Sequence, residues 1–341
     1  MMMPRKSIGL RPAVAVALVS AAVLAAGCVA QQPDQGGQDA LIKVSVATAG
    51  SSFPRFPVEL GQQLGIFKDE GIDLEIVTAD PTAAMAAQMA GSIDMSLQAT
   101  PNLIVARENG QHFVFFCGST PVFTQRLTTM DASMPAEGNG DDWQDVLRSL
   151  KGKTISVAAV GDSIDLMLRD GLRGLGIDPE KDLTIIGIKP DAARTALTQG
   201  QVDAAFVPPY VDVQIVADGG FSVLKTESIP SFAGYSSAFT ATKEWVEANP
   251  DVARRFCAGL DRSIDAIDDP EHQEVVDNLL TSTYGVPENR AAVDSARATQ
   301  ASIVSTEIHR DAIESMIEKS KAWGQGGRAI TYEELVAPPA R

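Results

Sequence analysis

Basic residues are scarce in this chain. Lysine and arginine total 28 against 44 aspartates and glutamates, a formal net charge of −16 over 341 residues. A surface of that sign is ill suited to nucleic acid, whose phosphates demand a basic face. Histidines are fewer still: His112, His272 and His309 are scattered without metal-ligand spacing, so neither a metal site nor a cofactor is expected. There is no G-x-S-x-G pattern to expose a nucleophilic serine, and no catalytic Ser/His/Asp or Cys/His set can be assembled. Of three cysteines, Cys117 ends the apolar run FVFFC and Cys257 sits in the helical ARRFCAGL. Two separately buried thiols are expected there, although an oxidising compartment would let them pair. Long apolar runs are also missing: Ala13 to Ala26 falls short of the roughly 20 residues that span a bilayer.

What is there begins with that short run. Arg5, Lys6 and Arg11 precede it and Gly27-Cys28 follow it, the pattern of a bacterial export signal. The ending Leu24-Ala25-Ala26-Gly27-Cys28 resembles a lipobox, with Ala25 where the large aliphatic residue usually stands and Leu24 one place further out. Residues 1–27 are therefore expected to be a lipoprotein signal peptide, and Cys28 the diacylated first residue of the mature chain. The alternative is an ordinary secretory signal with an incidental cysteine. Residues 28–40, polar and glycine-rich, would be a flexible tether. Cleavage removes three basic and no acidic residues, which takes the net charge from −16 to −19.

From Leu41 onward short β-rich runs alternate with helical patterns, the signature of βαβ units in an α/β protein with mainly parallel sheets. Strands are expected at 41–47, 73–77, 94–97 and 113–117, with helices at 57–70, 82–91 and 102–109. The second of these helices is so rich in Ala and Met that it should pack on both sides. The acidic stretch 131–142 interrupts the pattern, which resumes with strands at 154–158, 183–187, 203–206 and 221–224. Helices at 163–174 and 191–200 lie between them. Beyond Phe239 helical periodicity dominates, broken at Asn249-Pro250 and Gly285-Val286-Pro287. Packing of these last helices on the first lobe would bring the chain ends together on one domain.

Five blocks in order carry a family resemblance. LGIFKDEGIDLEIV (64–77), AAMAAQMAGSIDMSLQATPNLIVARENG (83–110), LKGKTISV (150–157), GLGIDPEKDLTIIGI (174–188) and ALTQGQVDAAFVPPY (196–210) are similar to segments of the nitrate/sulfonate/taurine-type substrate-binding proteins of ABC importers. That group includes binders of thiamine-pyrimidine precursors. The resemblance implies a two-lobed periplasmic-binding-protein-like fold of type II, with lobe 1 at 41–122 and 236–341 and lobe 2 at 123–235. Crossing segments would fall near 121–129 and 235–242, with a ligand cleft between the lobes. It implies partners as well: a small-molecule ligand, an ABC permease, and the membrane through the lipid on Cys28, with the protein a monomer facing the extracytoplasmic side. Two other classes remain open. One is a sensor presenting ligand to a membrane receptor, separable by neighbouring permease and ATPase genes. The other is an enzyme like the thiamine-pyrimidine synthases of related fold, whose cysteine-rich cluster this chain lacks; turnover by the purified protein would reveal it.

In open parallel sheets ligands lie beyond the carboxyl ends of the strands. That rule selects Ser51, Ser52, Phe53, Thr82, Thr100, Asp162, Ser163, Asp165, Tyr210 and Tyr235 as ligand-binding candidates. Thr82 and Ser163 are expected to cap helices whose free N–H groups suit a polar or anionic group, with plain capping as the alternative. Phe53, Tyr210 and Tyr235 are expected to stack on a planar ring, or else to serve as packing. The same loops hold Asp80, Asp162 and Asp165 against Arg55 alone, with Arg126 in a crossing segment. The charge balance favours a neutral or weakly cationic ring compound, pyrimidine-like, over nitrate or an alkylsulfonate.

Overall fold

The computed structural model describes residues 40–50, 52–137, 142–325 and 329–337. The signal segment, Cys28, the tether through residue 39 and Ser51 lie outside the described residues. Ten strands are described, in two five-stranded sheets. The first sheet contains β1 (Ile42–Thr48), β2 (Ile72–Thr78), β3 (Met95–Ala99), β4 (Phe113–Thr120) and β10 (Ser237–Thr242), in the order β2-β1-β3-β10-β4. The second contains β5 (Arg126–Thr129), β6 (Thr154–Val157), β7 (Thr184–Gly187), β8 (Ala204–Val207) and β9 (Phe221–Lys225), in the order β7-β6-β8-β5-β9. The chain thus leaves the first sheet after β4, builds the whole second sheet, and returns in β10.

Each sheet is mixed. β1 runs parallel to β2 and β3, and β6 parallel to β7 and β8, as βαβ crossovers dictate. β10 is antiparallel to β3 and β4, and β5 is antiparallel to β8 and β9. These two are the strands the sequence pattern does not distinguish from crossing segments. Every residue of β5 is buried, and so is every residue of β10 except its last, so neither alternates between apolar and polar.

The helices bury one face each. In Pro250–Asp265, Val252, Phe256 and Leu260 recur every four residues, and Phe256 stacks on Phe67 at 5.5 Å and meets Phe239 of β10 at 5.0 Å. The Ala- and Met-rich helix Pro81–Met89 does not pack on both sides as expected. It buries Ala84, Met85 and Gln88 and leaves Met89 59% exposed, because only one face meets the sheet.

The cysteine expectation is also corrected: Cys117 of β4 and Cys257 of the helix Pro250–Asp265 form a disulfide, with Cα atoms 5.7 Å apart. Each does sit among apolar neighbours. Tertiary packing brings together residues 140 positions apart, at a separation suited to a disulfide, and no local pattern records that.

The C-terminal helices pack on the first sheet and reach beyond it. One apolar cluster unites Phe53, Phe56 and Leu60, after β1, with Tyr210, Val211 and Ile215, after β8, through Leu279, Leu280 and Tyr284. On the other side Trp323 Nε1 donates to Asp170 of the helix Ser163–Gly174 at 2.8 Å.

Candidate functional site

A cavity of about 480 Å³ opens between the two sheets, at the carboxyl ends of β1, β4 and β8 and just beyond β7. Its walls are Ala49, Gly50 and Ser52 to Pro54 after β1, Thr120 and Phe123 to Gln125 at the first crossing, Lys189 to Asp191 after β7, Pro208 to Tyr210 after β8, and Ser236 at the second crossing. Its size suits a small organic molecule.

Prolines shape this cavity. Pro190 and Pro209 each open a helix, Pro190–Thr198 and Pro209–Ala217. Their fixed φ suits the first helical position, and the residues before them, Lys189 (φ −57°, ψ 145°) and Pro208 (φ −61°, ψ 154°), are held extended. Strand therefore turns sharply into helix at the cavity wall. Two helix N-termini are thereby presented to the cavity. The opening prolines carry no N–H, and the Ala192 and Val211 N–H groups donate to the Lys189 and Pro208 carbonyls, which leaves the Asp191 and Tyr210 N–H groups without a helical acceptor, a favourable setting for negative charge. Lys189 adds a cation and Asp191 an anion at the same wall.

Beneath the cavity the ends of the first sheet carry a row of hydroxyls. Thr48, Thr100, Thr120 and Ser237 are buried and their hydroxyl oxygens have no hydrogen-bond partner among the described residues. Ser237 is in register with Thr120 and with Ala99, the residue before Thr100, so three of the four gather at one end of neighbouring strands. Buried hydroxyls are normally satisfied. Thr120 reaches the cavity wall itself.

Of the residues selected from sequence, Ser52, Phe53 and Tyr210 are brought together at this cavity. Ser51 lies outside the described residues, and Thr82, Thr100, Asp162, Ser163, Asp165 and Tyr235 do not line the cavity. Thr82 does not cap its helix: Asp80 does, accepting the Thr82 N–H at 2.9 Å. Ser163 does not cap either, because Asp162 takes the N-cap and accepts from the Asp165 N–H at 2.9 Å. Burial raises the Asp162 carboxyl above the usual range. Asp165 is buried against Arg169 at 2.7 Å and accepts from the Gly161 N–H at 2.7 Å. Thr100 belongs to the buried hydroxyl row. Tyr235 is fully buried and its hydroxyl donates to the Glu307 carbonyl at 2.6 Å. Arg55 pairs with Glu59 and Arg126 with Glu227, and neither lines this cavity.

The expected ring platform therefore shrinks. Phe53 is 1% exposed, and Tyr210, 9% exposed, packs on Phe53 at 5.7 Å and on Tyr284 at 6.4 Å. Burial, reinforced by the nearby Asp191 carboxylate, pushes the Tyr210 phenol up to about 12, so it stays a neutral donor at physiological pH. Lys189, Asp191, Thr120 and Gln125 were missed. The strand-end rule applied to the loop after β7 would have selected Lys189 and Asp191.

Fold and site together define a protein of two α/β sheet units, crossed twice by the chain, with a ligand-sized cavity where the crossings meet. The chain belongs to the NMT1/THI5-like family, whose model matches residues 56–273, more than half of its length. A nitrate import ATP-binding protein of Synechococcus elongatus is 24% identical over 241 residues, 66% of this chain; the chain spans only 35% of that relative's length. Among solved structures, the alkanesulfonate-binding protein SsuA of Xanthomonas axonopodis pv. citri, bound to MOPS, superimposes with a TM-score of 0.65 at 16% identity, covering 84% of this chain and 94% of that one. The periplasmic nitrate-binding protein NrtA of Synechocystis superimposes with a TM-score of 0.64 at 14% identity, covering 84% and 82%. These likenesses establish a periplasmic-binding-protein-like fold.

Proposed function

We propose that this protein is an extracytoplasmic solute-binding protein that captures a small organic molecule in the cavity between its two sheet units and delivers it to an ABC importer. The two units would act as lobes, 41–122 with 236–341 and 123–235, closing about the two crossings. One observation carries this reading: the cavity lies where the chain crosses, walled by strand ends of both sheets, so relative motion of the units would open and shut it. The family supports it, since the nitrate- and alkanesulfonate-binding proteins share the fold. Binding without turnover is the expected behaviour, and calorimetric titration of the purified mature protein tests it.

The ligand class follows from the cavity's charges. The three aspartates counted from sequence cap helices or pair with arginine, whereas Lys189 and Asp191, one charge of each sign, line the cavity together with two helix N-termini and Thr120, so the donors outnumber the one carboxylate. We propose an organic molecule bearing an anionic or strongly polar group, held by these donors, with Tyr210 and Phe53 flanking its apolar part. The preference for a neutral or weakly cationic ring compound, drawn from those three aspartates, loses that support.

The Cys28 anchor remains a proposal, motivated by the basic, apolar and small-residue sequence before it. Cys28→Ser should release the protein from membranes into the soluble fraction. Membrane association unchanged in that variant would count against a lipid anchor.

A further inference from the structure

Tyr284 lies in the turn between the helices Gln273–Ser282 and Arg290–Ile303, 2% exposed, and it is tied to both halves of the molecule. Its hydroxyl donates to Glu59 Oε2 at 2.6 Å, and Glu59 Oε1 accepts from Arg55 Nε at 2.7 Å. Arg55 in turn donates to Thr78 Oγ1 at the end of β2, at 2.9 Å. This side of the turn belongs to the first sheet. On the other side, the Tyr284 carbonyl accepts from Gln214 Nε2 at 3.0 Å, and Gln214 sits in Pro209–Ala217, the helix that follows β8 of the second sheet. The ring meets Phe56 at 5.5 Å on one side and Tyr210 at 6.4 Å on the other. Gly285 completes the turn at φ +64°; a Cβ there would stand only 3.2 Å from Gln214 Nε2, so glycine both permits the turn and leaves room for the amide.

We propose that Tyr284 and Gln214 are positioning residues that hold the cleft shut from outside it, the Tyr284 turn acting as a bridge between the two units. This rests on the proposed reading of the units as closing lobes. Neither residue lines the cavity, so neither acts by touching the ligand. The two ties differ in kind. The phenol meets a carboxylate already paired with arginine, a charge-assisted contact, whereas Gln214 meets the carbonyl as one neutral group meeting another. On opening, the turn stays with Glu59 and parts from Gln214. Because the ties act in series, breaking either one releases the bridge. Loss of one such hydrogen bond should shift the ratio of closed to open molecules about fivefold.

The test uses protein without ligand, so it is independent of whether the cleft's ligand is ever found. X-ray scattering is compared for wild type, Gln214→Ala, Tyr284→Phe and the double variant, well below their melting temperatures. Tyr284→Phe keeps the ring, so the apolar packing survives. Each single variant is expected to have a larger radius of gyration than wild type, and the double variant to be no larger than the greater single. That non-additivity is the mark of one bridge. Melting temperatures that fall while the radius stays at the wild-type value would reduce these contacts to ordinary packing and overturn the proposal. Expansions that add fully in the double variant would overturn it as well.

Discussion

Replacing Cys117 and Cys257 together by alanine is expected to lower the unfolding free energy by roughly 5 kcal/mol, the largest stability effect predicted for any change in this protein. The reason lies in the unfolded chain. The bond closes a loop of 140 residues, and the entropy removed from the unfolded ensemble grows with the logarithm of that length. In the folded state the bond joins β4 of the first sheet to the helix that covers it, within a cluster containing Val46, Phe67, Phe239 and Phe256. Denaturant unfolding of wild type and the double variant, both without reductant, measures the difference. A difference below about 1 kcal/mol would mean that the bond contributes little.

Tyr210→Ala is expected to cost about 3 kcal/mol of stability and to abolish tight binding at the cavity. Sequence alone left two readings of this ring, stacking on a ligand or packing. The stability cost follows from packing, because the Tyr210 ring lies on Phe53 and Tyr284 in the cluster that joins the two units. Tyr210→Phe separates the two roles: it keeps the ring and removes only the hydroxyl, so stability should hold at neutral pH while affinity falls about three- to tenfold, the loss of one hydrogen bond to ligand. Unaltered affinity in Tyr210→Phe would mean that the hydroxyl does not reach the ligand. The phenol also sets a pH window. Its folded pKa, raised from 10.0 to about 12, lies above the unfolded value, so its contribution to stability is complete below pH 10 and is lost as pH rises through about 12. Wild type and Tyr210→Phe should accordingly respond differently to pH only in that alkaline window.

Much of the fold was legible because most of its strands obey simple rules. β1, β2 and β4 are runs of β-branched and aromatic residues bounded by turn signals, and each falls within a few residues of its expected place. β5 (RLTT) and β10 (SAFTAT) escaped because strands buried on both faces need no alternation, and small residues and threonines fill them. The helix Pro209–Ala217 escaped for a related reason: its apolar residues surround it, so no stripe stands out. The candidate site was legible where strands were. Ser52, Phe53 and Tyr210 follow β1 and β8 and reach the cavity, whereas Lys189 and Asp191 follow β7 and were passed over. Thr82 and Ser163 were misassigned because serine, threonine and aspartate compete for the N-cap, and in both helices an upstream aspartate took it. The disulfide and the Tyr284 bridge were out of reach, since each depends on contacts between residues at least 70 positions apart.

The central claim is that the cavity between the two sheets binds a small solute without transforming it. Calorimetric titration of the purified mature protein with alkanesulfonates including MOPS, nitrate, aromatic acids, pyrimidines and amines, with the recovered compound analysed for chemical change, tests that claim most directly. Saturable one-to-one binding of an organic compound carrying an anionic or strongly polar group is expected, weakened by Lys189→Ala and by Tyr210→Phe, with the compound recovered intact. Conversion of the compound to a product would contradict it, and so would binding indifferent to both substitutions.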